Sequence, residues 1–344
     1  MMLSEAIAGY IPLIEEELRS LLEPPNRAVA GHYEIMQYHL GWRDQALQPS
    51  TAPAGKRLRP LLCLLGCAAA GGNPLDALPA AAGLELLHNF SLLHDDIEDR
   101  SETRRHRPTA WSIWGVPIAC NVGDGMFSLA HLAFFRLRDR GVPESVVATV
   151  LQRFIEMALA LTEGQYLDMS FEQRLDVSVA DYDAMIAGKT GALLGVAPEI
   201  GALIGGASVE EAACYRQYGA ALGRAFQLQD DILGIWGDEQ QTGKSTASDI
   251  LTKKKTLPVL IAMNHPGVGA TLRALYAGDA FDEADVGKVL VLLDRAAARV
   301  ATEEAIGEAM QAARSALRRV TGSGDLATQR VLAELLDNLV ARSS

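Results

Sequence analysis

Helical periodicity is the feature that most constrains this chain. Apolar residues recur at the three- and four-residue spacing of a helix face, Ala and Leu are abundant, and runs of alternating β-branched residues are nearly absent. Breakers fall at QPSTAPAGK (48–56), GGNPLD (71–76), RGVPE (140–144), GDEQQTGKSTASD (237–249), NHPGVG (264–269) and TGSGD (321–325). The segments between them have ordinary to long helix lengths, with Asp, Ser and Asn available as caps. There is no low-complexity tract and no clean repeat. The pattern predicts one all-α domain over residues 1–344, built of about ten to twelve helices.

Composition narrows the function. The chain has 344 residues, 49% of them apolar, enough for a large core. A net charge of −12 argues against nucleic acid as a partner, because a phosphate backbone demands a basic face. The four cysteines form no CxxC pair, and Cys63 and Cys67 have the i,i+4 spacing of core neighbours. Free, buried thiols are expected, which suits a reducing cytoplasm. The N-terminus MMLSEAIAGYIPLIEEELRS is amphipathic and acidic, unlike a signal peptide. The apolar run LLCLLGCAAAGG is shorter than the roughly 20 residues that span a bilayer, so no membrane span is expected.

Chemistry concentrates in two places. In LHDDIEDRSETRRHRPT (93–109), Asp95 and Asp99 are four apart, hence on one helix face about 6 Å apart, with Asp96 beside them. Like charges at that spacing destabilise a helix unless compensated, and a divalent cation with hard oxygen ligands is the natural partner. The alternative is a solvated acidic turn. The apolar approach LELLHNFSLL favours burial, and buried charges must be paired or metal-bound. A weak internal echo, LLHDDIEDR against QLQDDILGI, brings in Asp230 and Asp231, with Gly234 where a third acid would complete the pattern. Two such pairs at the ends of apolar helices could face each other across a cavity.

Basic residues cluster beside glycine turns. GKRLRP (55–60) carries Lys56, Arg57 and Arg59, and RRHR (104–107) follows the first acid cluster. GKT (188–190) and the stretch 242–256 add Lys189, Lys244, Lys253, Lys254 and Lys255. Their ordinary role is pairing with nearby acids. In an acidic chain, such clusters also suggest local anion sites, since the guanidinium fork matches phosphate oxygens. GKT lacks the glycine spacing and preceding strand of a P-loop. The ExxH of Glu85 and His88 has no second copy for a di-iron site. An HD-type phosphohydrolase reading of His94–Asp95 leaves the second acid pair unexplained. Neither GxSxG nor HExxH occurs.

Taken in order, GKRLRP, ELLHNFSLLHDDIED, RRHRPT, GD (123–124), EGQYLD, GKT, FQLQDDILGIWGD, TGK and KKKTLP resemble the trans-isoprenyl diphosphate synthases over residues 55–258. That resemblance implies an all-α fold around a deep central cavity, usually as a homodimer. It implies magnesium-dependent, head-to-tail condensation of an allylic diphosphate with isopentenyl diphosphate. Asp95 and Asp99 would hold two magnesium ions with Asp96 adjacent, and Asp230 a third with Asp231 in support, Asp168 assisting the first pair. Arg104, Lys189, Gln227, Lys244 and Lys254 would hold the allylic diphosphate. Lys56, Arg59, His88 and Arg105 would hold isopentenyl diphosphate, and Thr190 would lie near the developing cation. Phe90, with Ser91, would form a floor limiting products to fifteen to twenty carbons.

Two positions depart from the family pattern. Gly234 replaces the last Asp of the second motif, and His106 replaces the usual Gly after the two arginines. A class I terpene cyclase and a catalytically weak regulatory subunit of a heteromeric synthase are the alternatives. The cyclase needs no isopentenyl pocket, and the subunit reading is opposed by retention of Asp230, Asp231, Lys244 and Lys254.

Overall fold

The structure is a computed structural model that describes residues 2–52, 55–172, 174–237, 247–278, 281, 283–320 and 324–341. The chain is 78% helical, as the periodicity predicts. Sixteen α-helical segments occur among the described residues, more than expected. The excess comes from short pieces at breakers. Gly115, at φ +83°, separates α5 (Ala110–Trp114) from α6 (Val116–Phe135). A single turn, α11 (Ser248–Leu251), precedes α12 (Leu257–Asn264). The only sheet among the described residues is a hairpin of β1 (Thr103–Arg104) and β2 (Arg107–Pro108).

The contacts divide into two compact units, one of residues 1–155, 197–213 and 321–332, the other of residues 156–196, 214–320 and 333–344. The first holds α1 (Leu3–Leu21), α2 (Ala30–His39), α3 (Leu58–Ala69), α4 (Leu78–Glu98), α5 and α6. Helix α4 is its axis, buried at every position from Leu78 to Leu87. Such all-round burial is what an Ala- and Leu-rich helix without charged faces specifies. On α3, Cys63 and Cys67 are buried free thiols, as expected, whereas Cys120 on α6 is exposed.

The second unit holds α8 (Val179–Ile186), α11, α12, α13 (Gly269–Tyr276), α14 (Glu283–Arg295) and α15 (Ala298–Arg318). Its core joins Tyr182, Ile186, Leu228 and Ile232 to Leu257, Leu260, Leu272 and Leu293. The division falls inside α7 (Glu144–Phe171), α9 (Ala192–Ile204), α10 (Val209–Trp236) and α16 (Leu326–Ala341).

Two helical stretches, Val116–Arg140 and Glu144–Phe171, are long and apolar enough to cross a bilayer by length and composition alone. Neither contains a long uninterrupted apolar run, because isolated polar residues break each stretch. Their outward faces carry Val116, Ile118, Leu132 and Phe135 on α6, and Ile155, Leu159 and Tyr166 on α7.

Candidate active site

The first acid cluster ends α4. The Asp99 amide donates to the Asp95 carbonyl at 2.9 Å, so the two carboxylates leave the final turn one turn apart. Asp96 faces inward and is 1% exposed, which rules out a solvated turn for this residue. Arg104 Nε donates to Asp96 Oδ1 at 2.7 Å, and its Nη2 donates to Asp95 Oδ2 at 3.2 Å. Asp96 Oδ2 is buried without a hydrogen-bond partner. Burial raises the Asp96 carboxyl to about 6, against the pull of Arg104. An orphaned carboxylate oxygen beside two further hard oxygen donors fits a divalent cation.

The hairpin explains how Arg104 and Arg105 are aimed. Arg104 pairs with Arg107 across the strands, and the two intervening residues, Arg105 and His106, have φ of 52° and 61°. Two positive φ values in a two-residue loop match a type I′ turn, whose positions favour glycine. The usual Gly at position 106 therefore has a conformational reason, and His106 occupies a left-handed position with its side chain exposed.

Arg105 turns back over the GKRLRP loop. Gly55 has φ +89°, and a Cβ there would lie 2.8 Å from Arg105 Nη2, so position 55 needs glycine twice over. Arg59, His88 and Arg105 come together in this region. Burial lowers Arg59 to about 10, with Glu85 opposing and Arg105 adding to the drop. Burial holds the His88 imidazole neutral, helped by Arg59 and Arg105. Lys56 is exposed on the same loop.

Arg57 has a different task from its neighbours. It is 3% exposed and forms ion pairs with Glu15 at 2.6 Å and Glu85 at 2.7 Å. Glu85 also accepts from Asn89 Nδ2 at 2.9 Å, so the ExxH glutamate is a buried counter-ion rather than a metal ligand.

Sequence reasoning missed His39. It ends α2, and its Nε2 is buried without a partner. Burial, then Arg105, Arg104, Arg107 and Arg57, lower it to about 3. With Tyr38, Asp96, Arg104, Arg105 and Arg107 it lines one cleft. No motif covers His39, which lies 16 residues before Gly55 in an ordinary helical stretch.

In the second unit, GKT is helical and not a phosphate loop. Residues Ala187–Gly191 form a π-turn between α8 and α9. Such turns often mark functional sites. Lys189 Nζ meets Asp168 Oδ2 at 2.5 Å, so two residues expected to hold different groups are paired with each other. Thr190 Oγ1 donates to Gln227 Oε1 at 2.8 Å, and Gln227 Nε2 donates to Asp231 Oδ1 at 3.2 Å.

Asp231 is 3% exposed and engaged on both oxygens. Its Oδ2 accepts from the Tyr182 hydroxyl at 2.6 Å and from the Leu257 amide at 3.0 Å. It thereby ties α8 and the start of α12 to α10, a role that no spacing rule in the sequence reveals. Asp230 precedes it on α10.

The three successive lysines separate cleanly. Lys253 reaches the Gly278 carbonyl and lies over the Phe281 ring, and buried Lys255 donates to the Glu172 carbonyl at 2.5 Å. Lys254 is exposed between them. Lys244 lies outside the described residues. Phe90 packs edge-on against His94, with ring centroids 4.6 Å apart, and meets Phe127 of α6 at 4.9 Å. Ser91 Oγ donates back to the His88 carbonyl at 2.8 Å.

Known proteins match this chain along most of its length. The polyprenyl synthetase family model matches residues 41–293. A (2E,6E)-farnesyl diphosphate synthase of Mycobacterium tuberculosis is 40% identical, over 92% of this chain and 88% of that protein. A geranylgeranyl diphosphate synthase of the same organism is 38% identical, over 94% and 90%. The crystal structure of a polyprenyl synthetase from Streptomyces coelicolor A3(2) superposes with a TM-score of 0.86 at 35% identity, covering 96% of this chain and 97% of that one. The chain belongs to the polyprenyl synthetase family and is a prenyltransferase.

Proposed function

We propose that the chain is a magnesium-dependent synthase of short-chain trans-prenyl diphosphates, condensing an allylic diphosphate head-to-tail with isopentenyl diphosphate. The observation that carries this reading is the cation cluster of the first unit. Arg59 and Arg105 face a single buried carboxylate, Glu85, which Arg57 already engages, and the neutral His88 imidazole lies beside the two guanidinium groups. Arg59 Nε and His39 Nε2 are buried and unsatisfied. A buried guanidinium N–H without an acceptor, such as that of Arg59, costs free energy that an incoming anion would recover. Together with Lys56, this cluster suits the diphosphate of isopentenyl diphosphate.

Arg104, touching both Asp95 and Asp96, would bridge the carboxylates to the allylic diphosphate, with Lys189, Gln227, Lys244 and Lys254 sharing that group. Asp95 and Asp99, with Asp96 adjacent, would hold two magnesium ions, and Asp230 a third. Bound magnesium supplies charge neutralisation for a diphosphate leaving group. Asp168 would release Lys189 when that lysine takes the diphosphate. Thr190, oriented by Gln227, would face the developing allylic cation. Asp231 would support Asp230 by fixing α10 through its own hydrogen bonds.

Phe90 would set the floor of the product cavity at fifteen to twenty carbons. Relatives of similar identity make farnesyl and geranylgeranyl diphosphate, so overall identity does not choose between them. The exposed apolar faces of α6 and α7 support a homodimer, and the chain is assigned to the cytoplasm as one domain. Purified protein is incubated with isopentenyl diphosphate, magnesium and dimethylallyl, geranyl or farnesyl diphosphate in turn. A linear trans-prenyl diphosphate is expected. No condensation product would sink the reading, and a cyclic hydrocarbon would turn it to a class I terpene cyclase.

A further inference from the structure

His94, just before the first acid pair, and the GD of 123–124 carry no role in the site described above, yet they meet in the fold. His94 lies near the end of α4. Cys120 and Asp124 lie on α6, four residues apart and therefore on one face. Gly123 lets the two helices close on each other here, since a Cβ at that position would overlap His94 Nε2. The Phe90 ring, one turn earlier on α4, stands edge-on to the imidazole with centroids 4.6 Å apart. His94 Nε2 is thereby held 3.3 Å from the Cys120 carbonyl and 3.7 Å from Asp124 Oδ1.

The Cys120 thiol completes the group. One ligand atom from each of His94, Cys120 and Asp124 lies within 4.8 Å of the other two. Around a tetrahedral zinc ion, with bonds of about 2.0–2.3 Å, neighbouring ligand atoms stand roughly 3.3–3.8 Å apart. The His94–Asp124 distance already falls in that range. Cys120 and Asp124 are exposed, so their side chains have room to rotate and close the remainder.

The donor set chooses the metal. An imidazole nitrogen, a thiolate sulfur and a carboxylate oxygen together suit a borderline-soft ion such as zinc. Magnesium takes oxygen ligands and leaves a thiolate aside. Asp95 follows His94 directly, but successive residues on a helix point about 100° apart, so the two side chains leave α4 in different directions.

We infer that His94, Cys120 and Asp124 form a site for one zinc-like divalent cation on the seam between α4 and α6, with water as the fourth ligand. Binding replaces the Cys120 thiol proton by the metal, and that proton passes to solvent. The bound ion ties the end of α4 to α6 one residue from Asp95. The site stands independently of the condensation reaction proposed above.

The test is Co²⁺ titration of the full-length chain, in the oligomeric state in which it purifies, because α6 is also the proposed pairing face. Excess Mg²⁺ occupies the carboxylate clusters, and a phosphine keeps the cysteines reduced. Thiolate-bound Co²⁺ shows charge-transfer absorption in the near ultraviolet, and Co²⁺ bound by oxygen alone does not. Wild type is expected to show this band, saturating at one Co²⁺ per chain and abolished when Zn²⁺ displaces the cobalt. Cys120→Ser, a near-isosteric change at an exposed position, removes the band and leaves the melting temperature unchanged. Cys214→Ser, at the other cysteine that is not buried, keeps it. His94→Gln and Asp124→Asn each weaken Co²⁺ binding by about 10-fold or more, since even groups that merely orient a metal ligand act on that scale. Absence of the band in wild type overturns the inference, as does a band that survives in Cys120→Ser or vanishes in Cys214→Ser. Wild-type affinity in either His94→Gln or Asp124→Asn overturns the ligand set.

Discussion

Replacing His39 by glutamine should remove a defined part of the acid sensitivity of this protein. The His39 imidazole falls from an ordinary 6.5 to about 3, first through burial and then through the guanidinium groups of Arg105, Arg104, Arg107 and Arg57. The unfolded chain then binds more protons than the folded one between these values, so stability rises with pH across the window and is lost as pH falls below 6.5. At pH 8 both states are neutral at this group and it contributes nothing. At pH 5 the unfolded imidazole is protonated by about 1.5 pH units of driving force, worth about 2 kcal/mol. That figure barely depends on the folded value, provided it lies well below 5.

The assay is equilibrium urea denaturation at pH 8 and pH 5, in metal-free buffer, for wild type and His39→Gln. The variant should lose about 2 kcal/mol less than wild type between the two conditions. His88→Gln should act in the same direction, because His88 is lowered by burial and by Arg59 and Arg105. Inorganic pyrophosphate bound in the cleft would oppose the guanidinium charge, so its binding near pH 6 should be accompanied by proton uptake that His39→Gln reduces. A pH dependence identical in wild type and His39→Gln to within about 0.5 kcal/mol would refute the placement of His39 beside these arginines.

Asp231→Ala strands the Tyr182 hydroxyl and the Leu257 amide, both buried, and should cost about 2–5 kcal/mol in denaturation. Asp230→Ala should abolish condensation with a stability change below about 1 kcal/mol, and equal destabilisation by the two would contradict the division of roles. His106→Gly relieves a left-handed residue in the hairpin turn and should raise stability by about 0.5–1 kcal/mol; a clear loss would show that the exposed imidazole has a role of its own. Phe90→Ala should lengthen the product, read by chromatography of the dephosphorylated alcohols, and an unchanged distribution refutes the floor assignment. Lys255→Ala should destabilise the fold, whereas Lys254→Ala should raise the KM for the allylic diphosphate and leave the melting temperature unchanged.

The acid and basic motifs were legible because metal and diphosphate chemistry demands particular residue types at short spacings along one helix or loop. Asp95 and Asp99 share a turn by helical geometry alone, and Arg104 and Arg105 diverge because they straddle the entry to a tight turn. Family order along the chain then named the reaction class. Less legible were residues whose value depends on what surrounds them. His39 lies in no motif, and only the approach of Arg57 and of the hairpin's Arg104, Arg105 and Arg107 makes it distinctive. Arg57 and Arg59 are two apart in one motif, yet Arg57 is paired with Glu15 and Glu85 while Arg59 lies buried between Glu85 and the Arg105 guanidinium.

By itself, the sequence determined the all-α class, the ends of α4 and α10 as the places for carboxylates, and the family. Periodicity and short-range spacing are local properties, and the chain carries them before it folds. Tertiary structure alone decided which acid of the second pair is structural. Asp230 and Asp231 are neighbours of the same type, and only the approach of Tyr182 and Leu257 makes the second a tie between helices. It also gave Gly234 its meaning. In the sequence that residue is a missing acid, and in the fold it is the space filled by the carboxylate of Asp249, because atoms 15 residues apart along the chain compete for one volume.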